Sequence, residues 1–215
     1  MKRARTDSDL SIASSEFEWN EPGLSPVHDL VLPELRRILY KARAHDVLDL
    51  GCGNGAMSRS LSEWGLRVVG TDSSKSGVEL ARKSGPGVQF EVADIGEPLP
   101  GELHGRFDAV VAVEVIEHLL LPRQLFARAR EALKPGGLLI ATTPYHGYWK
   151  NLALALLNRF DDHWHPLRDF GHVKFFSEGT LSALFTEQGF TISRMSRLGR
   201  IGPLACSLMV EGRLA

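Results

Sequence analysis

Val47-Leu48-Asp49-Leu50-Gly51-Cys52-Gly53-Asn54-Gly55 decides how the rest of the 215-residue chain is read. Asp46 to Leu50 reads as a buried strand, and three glycines follow within five residues. Glycine lets the backbone turn sharply and lets a ligand approach the main chain closely. Ala56 to Trp64 continues as a helix, broken at Gly65, so its opening amides face whatever the turn holds. Strand, glycine turn and helix form the first unit of a nucleotide-binding α/β sheet.

The pattern repeats outward from there. Upstream, Leu30, Val31, Leu35, Ile38 and Leu39 recur at helical spacing within Val27 to Ala42. Downstream, Leu66 to Thr71 reads as a strand, Ser74 to Lys83 as a helix and Val88 to Val92 as a third strand. Phe107 to Val113 is almost wholly apolar, as a central parallel strand covered on both faces must be. A helix is expected over Leu121 to Leu133, stopped by Lys134-Pro135-Gly136-Gly137, with Leu138 to Thr142 as the fifth strand. This is the rhythm of a doubly wound α/β sheet. Beyond it, Asn151 to Phe160 looks helical, and Ser177 to Gln188 has a serine cap and a stop at Gly189. Phe190 to Leu198 and Leu204 to Val210 are expected to close the sheet as a hairpin around residues 199–203.

Acidic residues end the strands where a ligand would lie. Asp72 closes the second strand, about 20 residues past the glycines, where a carboxylate can accept both hydroxyls of a ribose. Asp94 ends the third strand, near where an adenine amino group would need an acceptor. The glycine turn also satisfies the dinucleotide pattern, with Gly51, Gly53 and Ala56 in register. Asp49 argues against that reading, because it suits a cationic amino acid moiety and would repel a pyrophosphate. Asp94 adds a third acid on the same edge, and no second domain is available for a hydride partner.

At this point the chain resembles the class I S-adenosylmethionine-dependent methyltransferases, in the ubiquinone-biosynthesis O-methyltransferase-like group. The resemblance runs from about Trp19 to Val210. It rests on the glycine segment, Gly70-Thr71-Asp72, Ala93-Asp94-Ile95, Phe107-Asp108, Glu114-Val115-Ile116-Glu117-His118 and Leu133-Lys134-Pro135-Gly136-Gly137. It implies a Rossmann-like fold with a seven-stranded, mostly parallel sheet, helices on both faces and a C-terminal antiparallel hairpin. It implies S-adenosylmethionine as cofactor, with Asp49, Gly51, Cys52, Gly53, Asn54 and Gly55 around the methionine part. Asp72 and Ser73 would meet the ribose, and Asp94, Ile95 and Val113 the adenosine. Trp19 and His28 resemble the amino-terminal cap that closes over the cofactor in this group.

Glu114, Glu117 and His118 are spaced i, i+3, i+4, which puts them on one face if the segment is helical. Two carboxylates and an imidazole suit Zn²⁺, Mn²⁺ or Mg²⁺. The string resembles the metal-binding segment of small-RNA 3′-end methyltransferases and of metal-dependent quinone O-methyltransferases. His172 takes the place of the further histidine that those enzymes draw from downstream. The other reading needs no metal: His118 packs or bonds near the methyl group, and Glu117 orients it. Asp162-His163-Trp164-His165 and His146 lie on segments expected to roof the pocket, within a lid or insert around residues 145–176. His163 or His165 would serve as base, or both are surface histidines of a polar lid. The residue pattern leaves these alternatives open.

Composition narrows the partners. Lysine plus arginine (25) nearly balances aspartate plus glutamate (26), so no global field recruits nucleic acid or an anionic surface. Cys52 and Cys206 stand in no metal or redox spacing, and a reducing, cytoplasmic setting is expected. Residues 1–14 read as a polar tail and 15–215 as one domain with an N-terminal cap helix. No apolar run approaches a membrane span, and Leu152 to Leu157 is expected to be a packed cap helix. The function expected is transfer of a methyl group to an oxygen of a small-molecule acceptor: a phenol, a quinol, a sugar or a secondary-metabolite hydroxyl. RNA 3′-terminal 2′-O-methylation and nicotinamide-dependent oxidoreduction are the alternatives. The oligomeric state is not readable.

Overall fold

The computed structural model describes residues 19, 21, 23–164, 167, 169–200 and 202–214. The expected tail and His165 lie outside the described residues. Helix α1 (Pro26–Ala42) precedes a regular alternation: β1 (Asp46–Leu50), α2 (Ala56–Glu63), β2 (Arg67–Asp72), α3 (Lys75–Ser84), β3 (Gln89–Val92) and β4 (Phe107–Val113). Next come α4 (Arg123–Ala132), β5 (Leu133–Pro144), α5 (Tyr148–Leu156), α6 (Phe160–Trp164), α7 (Glu178–Glu187), β6 (Phe190–Leu198) and β7 (Ser207–Leu214). The strands form a seven-stranded sheet in the order β3-β2-β1-β4-β5-β7-β6. The first five run parallel, whereas β7 is antiparallel to both β5 and β6.

Alternation along the strands sends side chains to two separate cores. Val47, Ala109, Val111, Leu138 and Ile140 pack with α1 and α2 on one face. Leu48, Leu50, Val110, Ala112, Leu139 and Ala141 pack with α4 and α7 on the other. Phe126, Phe185 and Phe190 meet edge to face on that second side, with ring centroids 4.9 and 5.7 Å from Phe126. At the amino ends of the strands, Lys134 Nζ bridges Asp108 (2.7 Å) and Asp46 (3.2 Å). The amides of His45 and Asp46 donate to Asp108 as well. Those ties fix where β1, β4 and β5 begin, and so where their carboxyl ends fall.

Three expectations change. Lys134-Pro135-Gly136-Gly137 does not stop before the fifth strand but lies inside β5, with an irregular register between Phe107 and Ala109 and Gly136 at φ 71°. A bulge absorbs the proline and glycines that read as a turn. The lid helix divides into α5 and α6, and α5 buries no residue. The last strand starts at Ser207, because residues 202–204 form a 3₁₀ turn. No helix among the described residues is long and apolar enough to cross a membrane.

Phe126 is 0% exposed and touches both other rings, so truncation leaves a large cavity. Phe126→Ala is expected to cost about 3–5 kcal/mol of stability, read from the urea midpoint. A midpoint unchanged from wild type would show that this face does not hold the sheet.

Candidate active site at the carboxyl edge

Strand order reverses between β1 and β4, which open a crevice at their carboxyl ends. The glycine turn sits there, with Gly51, Gly53 and Gly55 at φ 85°, 51° and 73°. These are left-handed values that other residues adopt at a steric cost. The amides of Gly51 and Cys52 both donate to the Thr71 carbonyl, at 2.8 and 2.9 Å. The Gly53 amide donates to Asp72 Oδ2 and the Ser74 amide to Asp72 Oδ1, each at 2.8 Å. Asp72 therefore joins the turn to the start of α3 while remaining half-buried.

The space beside Gly53 belongs to Trp19. A side chain at Gly53 would collide with the indole, and one at Gly77 would come within 2.8 Å of it. Asn54 is expected at the cofactor, but the structure commits its amide elsewhere. Nδ2 donates to the carbonyls of Glu21 (2.7 Å) and Gly23 (2.9 Å), and Oδ1 accepts the Ala56 amide at the start of α2 (3.1 Å). The segment before α1 is thus laid across the turn. His28 caps α1 instead of facing the crevice: its Nδ1 accepts the Ser25 amide at 2.8 Å, and burial lowers its pKa.

Asp49 likewise turns toward α2. It is 2% exposed and accepts the Ser58 hydroxyl at 2.5 Å. Burial pushes its carboxyl up to about 7; the charge of Asp72 adds to this and the Ser58 bond opposes it. The Cys52 thiol, buried beside the same two acids, is pushed well above its ordinary value and is poorly nucleophilic. Ile95 is buried, Val113 half-buried and Ser73 exposed; it is Ser74, not Ser73, that caps α3, accepting the Gly77 amide. Asp94 stays exposed at the end of β3, where Oδ1 accepts the Gly96 amide at 2.7 Å.

Downstream of β4 only residues 116–118 form a 3₁₀ turn, so the expected helical face for Glu114, Glu117 and His118 does not exist. The turn nevertheless presents Glu117 and His118 to His172. Among the described residues these three offer ligand atoms that all lie within 4.8 Å of one another. Glu117 Oε1 is 4.0 Å from His172 Nε2, and the two imidazoles meet edge to face at 4.8 Å. Main-chain bonds hold the arrangement: the amides of Val173 and Lys174 donate to the Glu117 carbonyl at 2.8 and 3.0 Å. His118 Nδ1 donates to the Phe170 carbonyl at 3.0 Å.

Glu117 is 0% exposed, and among the described residues neither carboxylate oxygen has a hydrogen-bond partner. Burial, then the charge of Glu114, pushes its carboxyl well above the usual range, and its own backbone amide and then the nearby Thr143 hydroxyl temper the shift. Glu114 stands apart from the trio. Its Oε1 accepts the hydroxyls of Thr142 (2.9 Å) and Ser207 (2.7 Å), which point it at β5 and β7. Above the site, Phe175 stacks on Trp164 at 5.0 Å and meets the buried His146 ring at 5.0 Å. His163 lies on α6.

Ser58, Thr142 and Ser207 were missed from sequence. Ser58 had a signal, lying on the first turn of the helix that follows the strand of Asp49. Ser207 had none, because it reaches Glu114 across the sheet.

Asp49 generates a pH test. Its folded pKa is raised, so ionising it destabilises the fold as pH climbs from the unfolded value of 3.8 through about 7. Asp49→Asn keeps an acceptor for Ser58 and removes that penalty. Relative to wild type, the variant is expected to gain about 2–3 kcal/mol between about pH 5 and pH 8. Parallel pH–stability curves for the two proteins would show that Asp49 is not strained by burial.

Residues 26–194 match a family described as a methyltransferase domain. A ubiquinone biosynthesis O-methyltransferase of Bradyrhizobium diazoefficiens is 36% identical over 115 residues, covering 52% of this chain and 44% of the relative. The protein of that name from Bradyrhizobium sp. is 31% identical over 155 residues, covering 70% and 60%. The chain thus spans about half the length of these relatives. An S-adenosylmethionine-dependent methyltransferase structure from Mesorhizobium loti superposes with a TM-score of 0.68 at 23% identity, covering 84% of this chain and 96% of that one, which speaks to the fold. The chain belongs to the methyltransferase domain family.

Proposed function

We propose that this protein transfers a methyl group from S-adenosylmethionine to an oxygen of a small-molecule acceptor, a phenol, quinol, sugar or secondary-metabolite hydroxyl. We further propose that a divalent ion held by Glu117, His118 and His172 assists. The observation that carries the reading is Glu117, a fully buried carboxyl group whose two oxygens lack a hydrogen-bond partner among the described residues, with the His172 ring nitrogen 4.0 Å from one of them and His118 alongside. Burial makes this carboxyl group costly to ionise, and a cation beside it would favour the ionised form. One carboxylate and two imidazoles suit Zn²⁺, Mn²⁺ or Mg²⁺. The His118 Nδ1–H on the Phe170 carbonyl supports the same reading, since metal-bound imidazoles donate their second nitrogen to such acceptors. The O-methyltransferase names of the relatives support oxygen as the atom methylated.

The chain's own work in this reading is alignment. The glycine turn sets main-chain amides toward the methionine part, with the indole of Trp19 filling the space beside Gly53. Asp72 offers its carboxylate to the ribose hydroxyls, and Asp94 and Ile95 flank the adenine. Asp49 supplies negative charge beneath the turn once ionised. A nucleophile must stand about 3 Å behind the sulfonium methyl, and much of the acceleration comes from holding it there. When bound, a divalent ion supplies a Lewis acid that makes a hydroxyl more acidic. With the ion bound, His118 Nε2 is taken up as a ligand; only without it does the Nδ1–H tautomer leave a basic Nε2 that can take the acceptor's proton. His163 and His165 are the lid's alternatives for that role. Trp164 and Phe175, 40% and 43% exposed here, would have to close further with His146 to exclude water from the reacting centre. The O-methyltransferase names of the relatives do not favour terminal methylation of RNA over a small-molecule acceptor.

Two measurements test this. Asp72→Ala should weaken binding of S-adenosylhomocysteine by about 1.5–3 kcal/mol in calorimetry on the folded variant. Equal affinity would remove Asp72 from the ribose. Excess chelator, or His172→Ala, should abolish turnover yet spare that binding, and turnover should fall at acid pH as the imidazoles protonate. Full turnover in chelator, with no metal in the purified chain, would leave His118 as a general base without an ion.

A further inference from the structure

We propose that Glu114 is a positioning residue for the catalytic turn, acting through Thr142 and Ser207 rather than as a ligand of the ion. Glu114 has φ 54°, a left-handed conformation that is uncommon for a residue with a side chain. Such a conformation persists only where its surroundings over-determine it. Here they do. The Glu114 amide donates to Thr142 Oγ1 at 3.0 Å, and that same hydroxyl donates back to Glu114 Oε1 at 2.9 Å. Ser207 Oγ donates to the same carboxylate oxygen at 2.7 Å. Thr142 is 0% and Ser207 1% exposed, on strands paired within the sheet, so both hydroxyls are rigidly placed.

The kink at Glu114 sets the path of the next four residues. The chain leaves β4 abruptly, Val115 lands against Gly51, and Ile116 enters the core. Only then can the 3₁₀ turn hold Glu117 inward and offer its carbonyl to Val173 and Lys174, which brings His172 into reach. One carboxylate oxygen of Glu114 is thus held by β5 and β7, and Glu114 lies outside the group whose ligand atoms converge, Glu117, His118 and His172. Both hydroxyls converge on one oxygen, so the carbonyl of a glutamine can accept them equally well.

This inference rests on the metal reading above, and the experiment separates the two. Mn²⁺ alone is titrated into the full chain and into Glu114→Gln, Glu114→Ala, Ser207→Ala, Thr142→Val and Glu117→Gln. Glu114→Gln should keep wild-type Mn²⁺ affinity, while Glu114→Ala, Ser207→Ala and Thr142→Val each lose about 10–100-fold. A loss on Glu114→Gln as large as that on Glu117→Gln, with the two hydroxyl variants silent, would make Glu114 a ligand and overturn the proposal. If the wild-type chain takes up no Mn²⁺, the metal reading fails and hydrogen exchange decides. The Val173 and Lys174 amides should then exchange faster in Glu114→Ala than in Glu114→Gln, with the β1 amides unchanged. Equal rates in the two variants would overturn the positioning role.

Discussion

The Thr71 carbonyl takes two amides, those of Gly51 and Cys52, and the architecture of the site depends on that double acceptance. It pulls the chain leaving β1 back over the end of β2, which a backbone can do only at positive φ. Asp72, the next residue, then receives the Gly53 amide on one oxygen and the Ser74 amide on the other. One short stretch of β2 therefore sets the mouth of the glycine turn, the origin of α3 and the placement of the carboxylate that joins them. Replacing these bonds with water would leave the turn's amides without fixed directions, and a site built on backbone donors depends on direction.

A second constraint operates on the other side of the crevice, through buried charge. Asp49, Glu114 and Glu117 are all pushed up by burial, yet their surroundings differ. Asp49 has Ser58, and Glu114 has Thr142 and Ser207, whereas both oxygens of Glu117 lack a partner among the described residues. Hydroxyl donors offset much of the cost of desolvating a carboxylate. The acid without them is the one that stands beside two imidazoles. That contrast within one protein makes Glu117 the centre of the proposed chemistry, more than the presence of any motif.

The lid is built with different physics from the sheet. Helix α5 buries no residue, and Tyr148, Trp149, Leu156 and Leu157 are more than half exposed. Its order comes from a few aromatic contacts and from the bonds of residues 170–174 to the catalytic turn. Segments with so little buried apolar area open at lower free energy than a core strand, as the proposed roof over the acceptor would need to.

Strand alternation and the glycine turn were legible from sequence because they are local: apolar periodicity, glycine and strand-ending acids act within a few residues. Those features by themselves determined the α/β class, the parallel sheet and the edge on which Asp72 meets the glycine turn. The grouping of Glu117, His118 and His172 was legible only as residue types, since the helical face expected to unite Glu114 with them is a 3₁₀ turn. Tertiary structure decided which acid faces which partner. Ser207 reaches Glu114 from a strand 93 residues away, Ser58 turns Asp49 toward α2, and Asn54 is taken by carbonyls upstream of α1. Hydrogen bonds of this kind join residues that no local pattern couples, and they exist only once the sheet has closed.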